Sequence, residues 1–354
     1  MFGVLIAIAI ASTDAPSISV RIDTKFAREV LEEVCSGQTI DEHAIRASGP
    51  AQIMVDHFHQ FRADFTMDAY VAARKSAAQC ITPAPDIFRF GEVIERRTDL
   101  ELELDAIESQ ESEIASQIEA MLSAYTPDGV THDGAAMLML ATPSCGGWSK
   151  GADFFVDVPC LNGDSAGMTY LIAHETYHAV QASFMPSVAA DAAPAAEIFA
   201  DIIREGSASV VADFSALESD GAYTRLSQRI LTTNERRMAA NYDLFNMAFF
   251  YLDRARNADR ADQIRTIGLS GLFDGPFYAV GSAMFRAIDA AFGREPLLCL
   301  MTTSPEQFFL AYEKAAEATD SPALGEDVLK SARRLSTKQS RAKAAECLSA
   351  GQAE

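Results

Sequence analysis

The chain has 354 residues, of which 49% are hydrophobic, enough for one large or two ordinary folded domains with a real core, and too apolar for a disordered chain. Its net charge of −21 argues against a nucleic-acid backbone or an anionic membrane surface as partner, because both would repel it at ordinary salt. Six cysteines, Cys35, Cys80, Cys145, Cys160, Cys299 and Cys347, are an even number without CxxC spacing, which fits an oxidising compartment and no structural zinc knuckle.

Residues 1–11, MFGVLIAIAIA, form an uninterrupted apolar run ending in Ala9-Ile10-Ala11. That ending satisfies the small-x-small rule for signal peptidase, although no Lys or Arg precedes the run. The run is too short to span a bilayer, so the expectation is a secreted or periplasmic protein without a stable membrane span. A buried first strand would instead leave it cytoplasmic. From Ser17 to about Phe90, apolar residues recur at helical intervals, as in Phe26, Val30, Leu31 and Val34, up to the Pro83-Ala84-Pro85 break. Residues 92–123 continue as a long amphipathic segment carrying Leu100, Leu104, Ile107, Ile114, Ile118 and Met121. LELELD within it alternates like a strand, but the longer period favours a helix. Residues 17–125 are thus expected to be a helical N-terminal region.

Between Tyr125 and Asp164, AAMLMLAT and ADFFVDVP are two compact apolar runs separated by a Gly/Ser-rich loop, the pattern of two strands of a small sheet. Cys145 and Cys160, one after each run, are a candidate local bridge, with unpaired buried thiols the alternative. Asn162-Gly163-Asp164-Ser165 offers helix caps, and Pro186 marks the end of the helix they would start. The remainder reads as helical, with Pro194 near one helix start and Asp274-Gly275-Pro276 before another. The expected fold class is therefore α+β, mostly helical, with a catalytic region at 126–300 and a C-terminal helical tail at 301–354. Its basic residues, Lys330, Arg333, Arg334, Lys338, Arg341 and Lys343, read as a solvated helix face.

The chemistry concentrates in LIAHETYHAVQ, residues 171–181. Two histidines four apart on a helix, His174 and His178, lie one turn above each other on one face and can share a cation. Glu175 follows the first of them, where a carboxylate can hold and deprotonate a metal-bound water. A catalytic zinc takes three protein ligands and keeps one position open, so a third donor is needed. Glu197 and Glu205 compete. At 100° per residue Glu205 falls with Ile198 and Ile202 at the edge of the apolar stripe, whereas Glu197 sits with Asp201 and Arg204 on the polar side, which favours Glu205. Gly206 suits a ligand helix packed closely on the motif helix. Asp201 and Asp213 are candidates to receive the second N–H of a zinc-bound histidine. Tyr278, opening the segment YAVGSAM, could donate to an oxyanion beside the metal, with core packing the alternative. His57 and His59 have HxH spacing on a helix, where they point apart, and read as structural. Cys145-Gly146-Gly147-Trp148 is a weak match to a nucleophilic cysteine, and a loop disulfide explains it better.

HETYH followed by REGSA, and then by YAVGSAM with AFG, resembles the gluzincin metallopeptidases, most closely a domain-of-unknown-function family described as zinc-dependent proteases. With the opening FAREVLEEV and the strand pair before the motif, the likeness covers most of residues 20–300. It implies a zincin-like core whose small sheet precedes the HExxH helix, and one Zn²⁺ held by His174, His178 and Glu205. Glu175 would polarise the water, and the substrate would be a peptide or protein. ADFFVDVP would be the sheet edge that pairs with it, with an ordinary buried strand the equal alternative. Ser209 stands where such families have an aspartate. The alternative function is a zinc-binding or zinc-free protein of the same fold that has lost catalysis.

Overall fold

Four strands make one mixed sheet in the computed structural model, which describes residues 15–189, 192–255, 258–269 and 275–350. The apolar run at 1–11 lies outside the described residues, as does Asp274. The strands are β1 (Ser17–Asp23), β2 (Thr131–Met139), β3 (Gly147–Lys150) and β4 (Asp153–Asp157), and their spatial order is β1-β2-β4-β3. β1 runs parallel to β2, with Ser17 opposite Thr131, and β2 runs parallel to β4. β3 closes the far edge antiparallel to β4. β4 is almost wholly buried, as expected of an internal parallel strand covered on both faces, which reads as a continuous apolar run.

Three expectations are corrected. Residues 17–23 are a strand and not the start of the helical region: SISVRID alternates with period two, and its buried Val20 and Ile22 lie on one face. ADFFVDVP is not a sheet edge, because β3 covers it; the edges are β1 and β3. β3 itself arises inside the Gly/Ser-rich loop. Trp148 of β3 stands opposite Phe155 and stacks on it at 5.4 Å, and His57 stacks on the indole, also at 5.4 Å. His57 is therefore a packing residue, and His59 bonds the Phe65 carbonyl through Nδ1.

Helices α1 (Lys25–Glu33), α2 (Glu42–Ala47), α3 (Gly49–His59) and α4 (Met67–Ala78) follow β1. The amphipathic stretch at 92–123 is divided among α5 (Phe90–Glu95), α6 (Arg97–Ser109), which includes LELELD, and α7 (Glu111–Ser123), with breaks at Arg96 and Gln110. Then come α8 (Ser165–Phe184), α9 (Pro194–Val211), α10 (Ala222–Arg236), α11 (Met238–Ala255) and α12 (Ala258–Gly268). α13 (Pro276–Phe292), α14 (Arg294–Met301), α15 (Pro305–Thr319), α16 (Glu326–Leu335) and α17 (Lys338–Ala350) complete the described chain. The cysteines pair as Cys35–Cys80, Cys145–Cys160 and Cys299–Cys347, leaving none free. No described helix is long and apolar enough to cross a membrane.

Buried side chains fall into two clusters. The first joins the sheet to the helices before it and to α8, through Leu138, Phe155, Ile172 and Tyr177; the second gathers Phe199, Phe245, Phe277, Phe309 and Tyr312. α9 supplies Ala208 and Val211 to the first and Ile198, Phe199 and Ile202 to the second. It is held against α13 by a glycine contact. A methyl group on Gly206 would lie 2.3 Å from the Gly281 carbonyl carbon, and one on Gly281 would lie 2.4 Å from the Ile202 carbonyl oxygen. The close approach at Gly206 is thus to α13 and not, as the sequence suggested, to the motif helix. Gly206→Ala is expected to destabilise the protein by about 2 kcal/mol or more, since backbone cannot yield as a side chain does. Thermal melting checks it, and an unchanged midpoint would contradict the contact.

Candidate metal centre

α8 is buried around most of its circumference because it lies between the sheet, α7 and α9, which explains why its sequence is apolar on nearly every side. Asp164 caps it by accepting from the Gly167 amide at 2.8 Å, and the helix ends at Phe184, before Pro186. On this rod His174 is 2% exposed and His178 is one turn further on, their rings 5.0 Å apart and nearly perpendicular. α9 brings Glu205 to the same point. Its Oε2 lies 3.6 Å from His174 Nε2 and 3.3 Å from His178 Nε2. One donor atom from each of the three residues lies within 4.8 Å of the others, so the group could hold a metal ion.

The geometry suits zinc in particular. Bonds of about 2.0–2.1 Å to nitrogen and oxygen put neighbouring tetrahedral ligands roughly 3.3 Å apart, close to the 3.6 and 3.3 Å that separate Glu205 Oε2 from the two histidine nitrogens. Two imidazoles and one carboxylate also match the donor chemistry of a zinc site with an open position. Electrostatics point the same way. Burial opposes a charge on His178, but Glu205, supported by Glu175 and Gln181, outweighs it and raises the imidazole to about 9. Burial likewise works against ionised Glu205, yet the two histidines hold its carboxyl well below the usual range. A proton on His178 is thus favoured beside the ionised Glu205.

Glu197 is elsewhere. It pairs with Arg265, which also binds Asp201 at 2.9 Å. Asp201 further receives Arg204, and Asp213 receives Arg286 at 2.8 Å while capping Ser215. Both aspartates considered as histidine partners are therefore engaged by arginines. The other cluster of ligand-type residues among the described residues, Cys145, Asp157 and Cys160, is committed to a disulfide and to an Asp157–Arg89 ion pair of 2.7 Å. That pairing also removes Cys145 as a nucleophile.

A family model described as "Putative zinc dependent peptidase (DUF5700)" matches residues 44–321. The chain belongs to this family. Its description implies dependence on zinc and suggests a hydrolase. No curated protein and no solved structure matches the chain. The part shared with the zinc peptidase family contains all of α8, α9 and α13, whereas β1 and α1 precede it.

Glu175, the next residue after His174, is half-buried on α8. Tyr278 occupies the first turn of α13, half-buried against the first core, three residues before the glycine that touches α9. Sequence reasoning missed one residue. Gln181, fully buried, donates through Nε2 to the Arg204 carbonyl at 2.9 Å and to Ser207 Oγ at 2.7 Å. Its Oε1 therefore faces His178 Nδ1, 3.0 Å away, and must accept. When neutral, His178 would keep its proton on Nδ1, which leaves the Nε2 lone pair for a metal. Gln181→Met is expected to weaken zinc binding roughly 10- to 100-fold, measured by competition with a chromogenic chelator; unchanged affinity would remove Gln181 from the site. A polar residue on the buried face of a helix, one turn after a histidine, was the available signal.

Proposed function

We propose that the protein is a gluzincin-type zinc metallopeptidase that hydrolyses peptide bonds. The observation that carries this reading is the convergence of His174 Nε2, His178 Nε2 and Glu205 Oε2 on one point, with Glu175 next in sequence to the first of them. His174, His178 and Glu205 would hold one Zn²⁺. When bound, zinc supplies Lewis acidity that polarises a carbonyl and makes water a nucleophile near neutral pH.

Glu175 takes a proton from the attacking water and returns it to the leaving amine, which balances the hydrolysis without a further acid. Tyr278 donates to the oxygen that gains charge when the carbonyl is attacked. Pairing of all six cysteines supports export to an oxidising compartment. Full-length protein should contain one zinc per chain and cleave unstructured polypeptide. Chelation should abolish cleavage, and added zinc should restore it. Cleavage that persists in protein shown to be metal-free would refute the reading.

A further inference from the structure

Nine large hydrophobic side chains are exposed among the described residues, and five of them, Leu244, Met247, Phe250, Tyr251 and Ile267, line one groove. Single apolar residues scattered over a surface need no explanation, whereas a contiguous cluster marks a contact. The groove runs between α11 and α12, is lined also by buried Phe277 of α13, and encloses about 640 Å³. Met247 is 66% exposed and Ile267 57%, so the described residues leave its walls open to solvent.

The stripe on α11 ends in opposite charges. Asp243, Met247, Phe250 and Arg254 follow one another at steps of four, three and four, which puts them on a single line along the helix, with Leu244 and Tyr251 beside it. All six are exposed. Asp243 makes no ion pair among the described residues. Arg254 lies over the Phe250 ring at 3.5 Å, and its nearest carboxylate, that of Asp327, is 3.9 Å away. Eleven residues of helix separate the two charges by about 16 Å. The pattern is self-complementary about the point between Ala248 and Phe249: a second copy turned end for end brings its Arg254 to Asp243 and its Phe250 to Met247. A two-fold axis there makes two ion pairs and covers both apolar stripes at once, as an isologous interface requires. An anionic lipid surface has no such match, because Asp243 and the net charge of −21 oppose it.

We propose that the chain forms a two-fold dimer in which the α11 helices pack antiparallel about that point, with Met247 and Phe250 of each copy entering the groove of the other. The occupant of the groove is thus a second copy of this chain. The inference is independent of the metal and of the reaction, since none of these residues belongs to the group at His174, His178 and Glu205. One helix and its flanking groove make a modest interface, so the dissociation constant is expected on the order of micromolar.

Sedimentation equilibrium of the full chain, from about 1 to 200 µM in about 0.15 M salt to screen the repulsion between acidic copies, should show a reversible monomer–dimer equilibrium. Asp243→Arg and Arg254→Asp each set like charges against each other at both ends of the contact, and each should raise the dissociation constant roughly 10- to 100-fold. The double variant Asp243→Arg/Arg254→Asp restores opposite charges and should return it to within about threefold of wild type. Met247→Asp should raise it roughly 100-fold, whereas Ile81→Asp, also at an exposed residue but outside the groove, should leave it unchanged. Because these side chains are exposed, the melting temperature of dilute monomer should stay the same in every variant, which separates lost association from lost folding. A monomer throughout the range would overturn the proposal, as would a dimer that survives Met247→Asp or a double variant that stays monomeric. A monomer that instead sediments with phosphatidylcholine vesicles, or that cross-links an unstructured polypeptide at Met247, would overturn it and give the groove to lipid or to substrate.

Discussion

Glu175→Gln is expected to keep zinc at one equivalent and to lower peptide hydrolysis by roughly 100- to 10,000-fold, the usual contribution of a positioned general base. The carboxamide keeps the size of the side chain but cannot take a proton from water. Glu175 supplies none of the atoms grouped with His174, His178 and Glu205, so metal content should not change. The residue is half-buried on a helix whose cap and packing lie elsewhere, so folding should not change either. Zinc stoichiometry by atomic emission and turnover of an unstructured polypeptide test both halves together. Wild-type turnover in the variant would eliminate Glu175 as the base, and loss of zinc would recast it as a ligand.

Glu205→Ala should release the metal, and Glu197→Ala should retain it. Structural zinc sites bind with apparent free energies of roughly 10–16 kcal/mol over four ligands, which puts one ligand near 3 kcal/mol and its loss near 100-fold or more in affinity. The alanine also strips His178 of the carboxylate that lifts its pKa. Glu197, by contrast, serves Arg265, and that guanidinium keeps Asp201 as a partner when Glu197 is removed. Titration against a competing chelator reports both variants. The reverse pattern would assign the third donor to Glu197.

Much of this centre is legible in the sequence because helices convert spacing into direction. HETYH is local, and the inward register of Glu205 follows from its position relative to Ile198 and Ile202, both fully buried. What is not legible depends on contacts between distant segments. β1 pairs with a strand that begins at Thr131, so nothing near Ser17 reveals its partner, and the apolar period of α1 next to it masks the alternation. β3 has only four residues and exists through its ladder with β4. Arg96 and Gln110 interrupt one amphipathic pattern without a proline or glycine to announce the breaks. Gln181 acquires meaning only from the carbonyl of Arg204 and the hydroxyl of Ser207, groups on another element.

The glycine contact between α9 and α13 has a consequence for how the two halves communicate. Glu205 is next to Gly206, so the carboxylate's distance from the histidines is set where α9 rests on a helix of the second core, while the histidines stand on α8, whose buried apolar residues belong to the first. A metal bound across that boundary behaves as a thermodynamic rivet: at 100 times its dissociation constant it adds about 2.7 kcal/mol to the joined state. By reciprocity, substitutions around Phe309 or Tyr312 that shift α13 against α9 are expected to register as changes in metal affinity, although these residues are remote from any ligand.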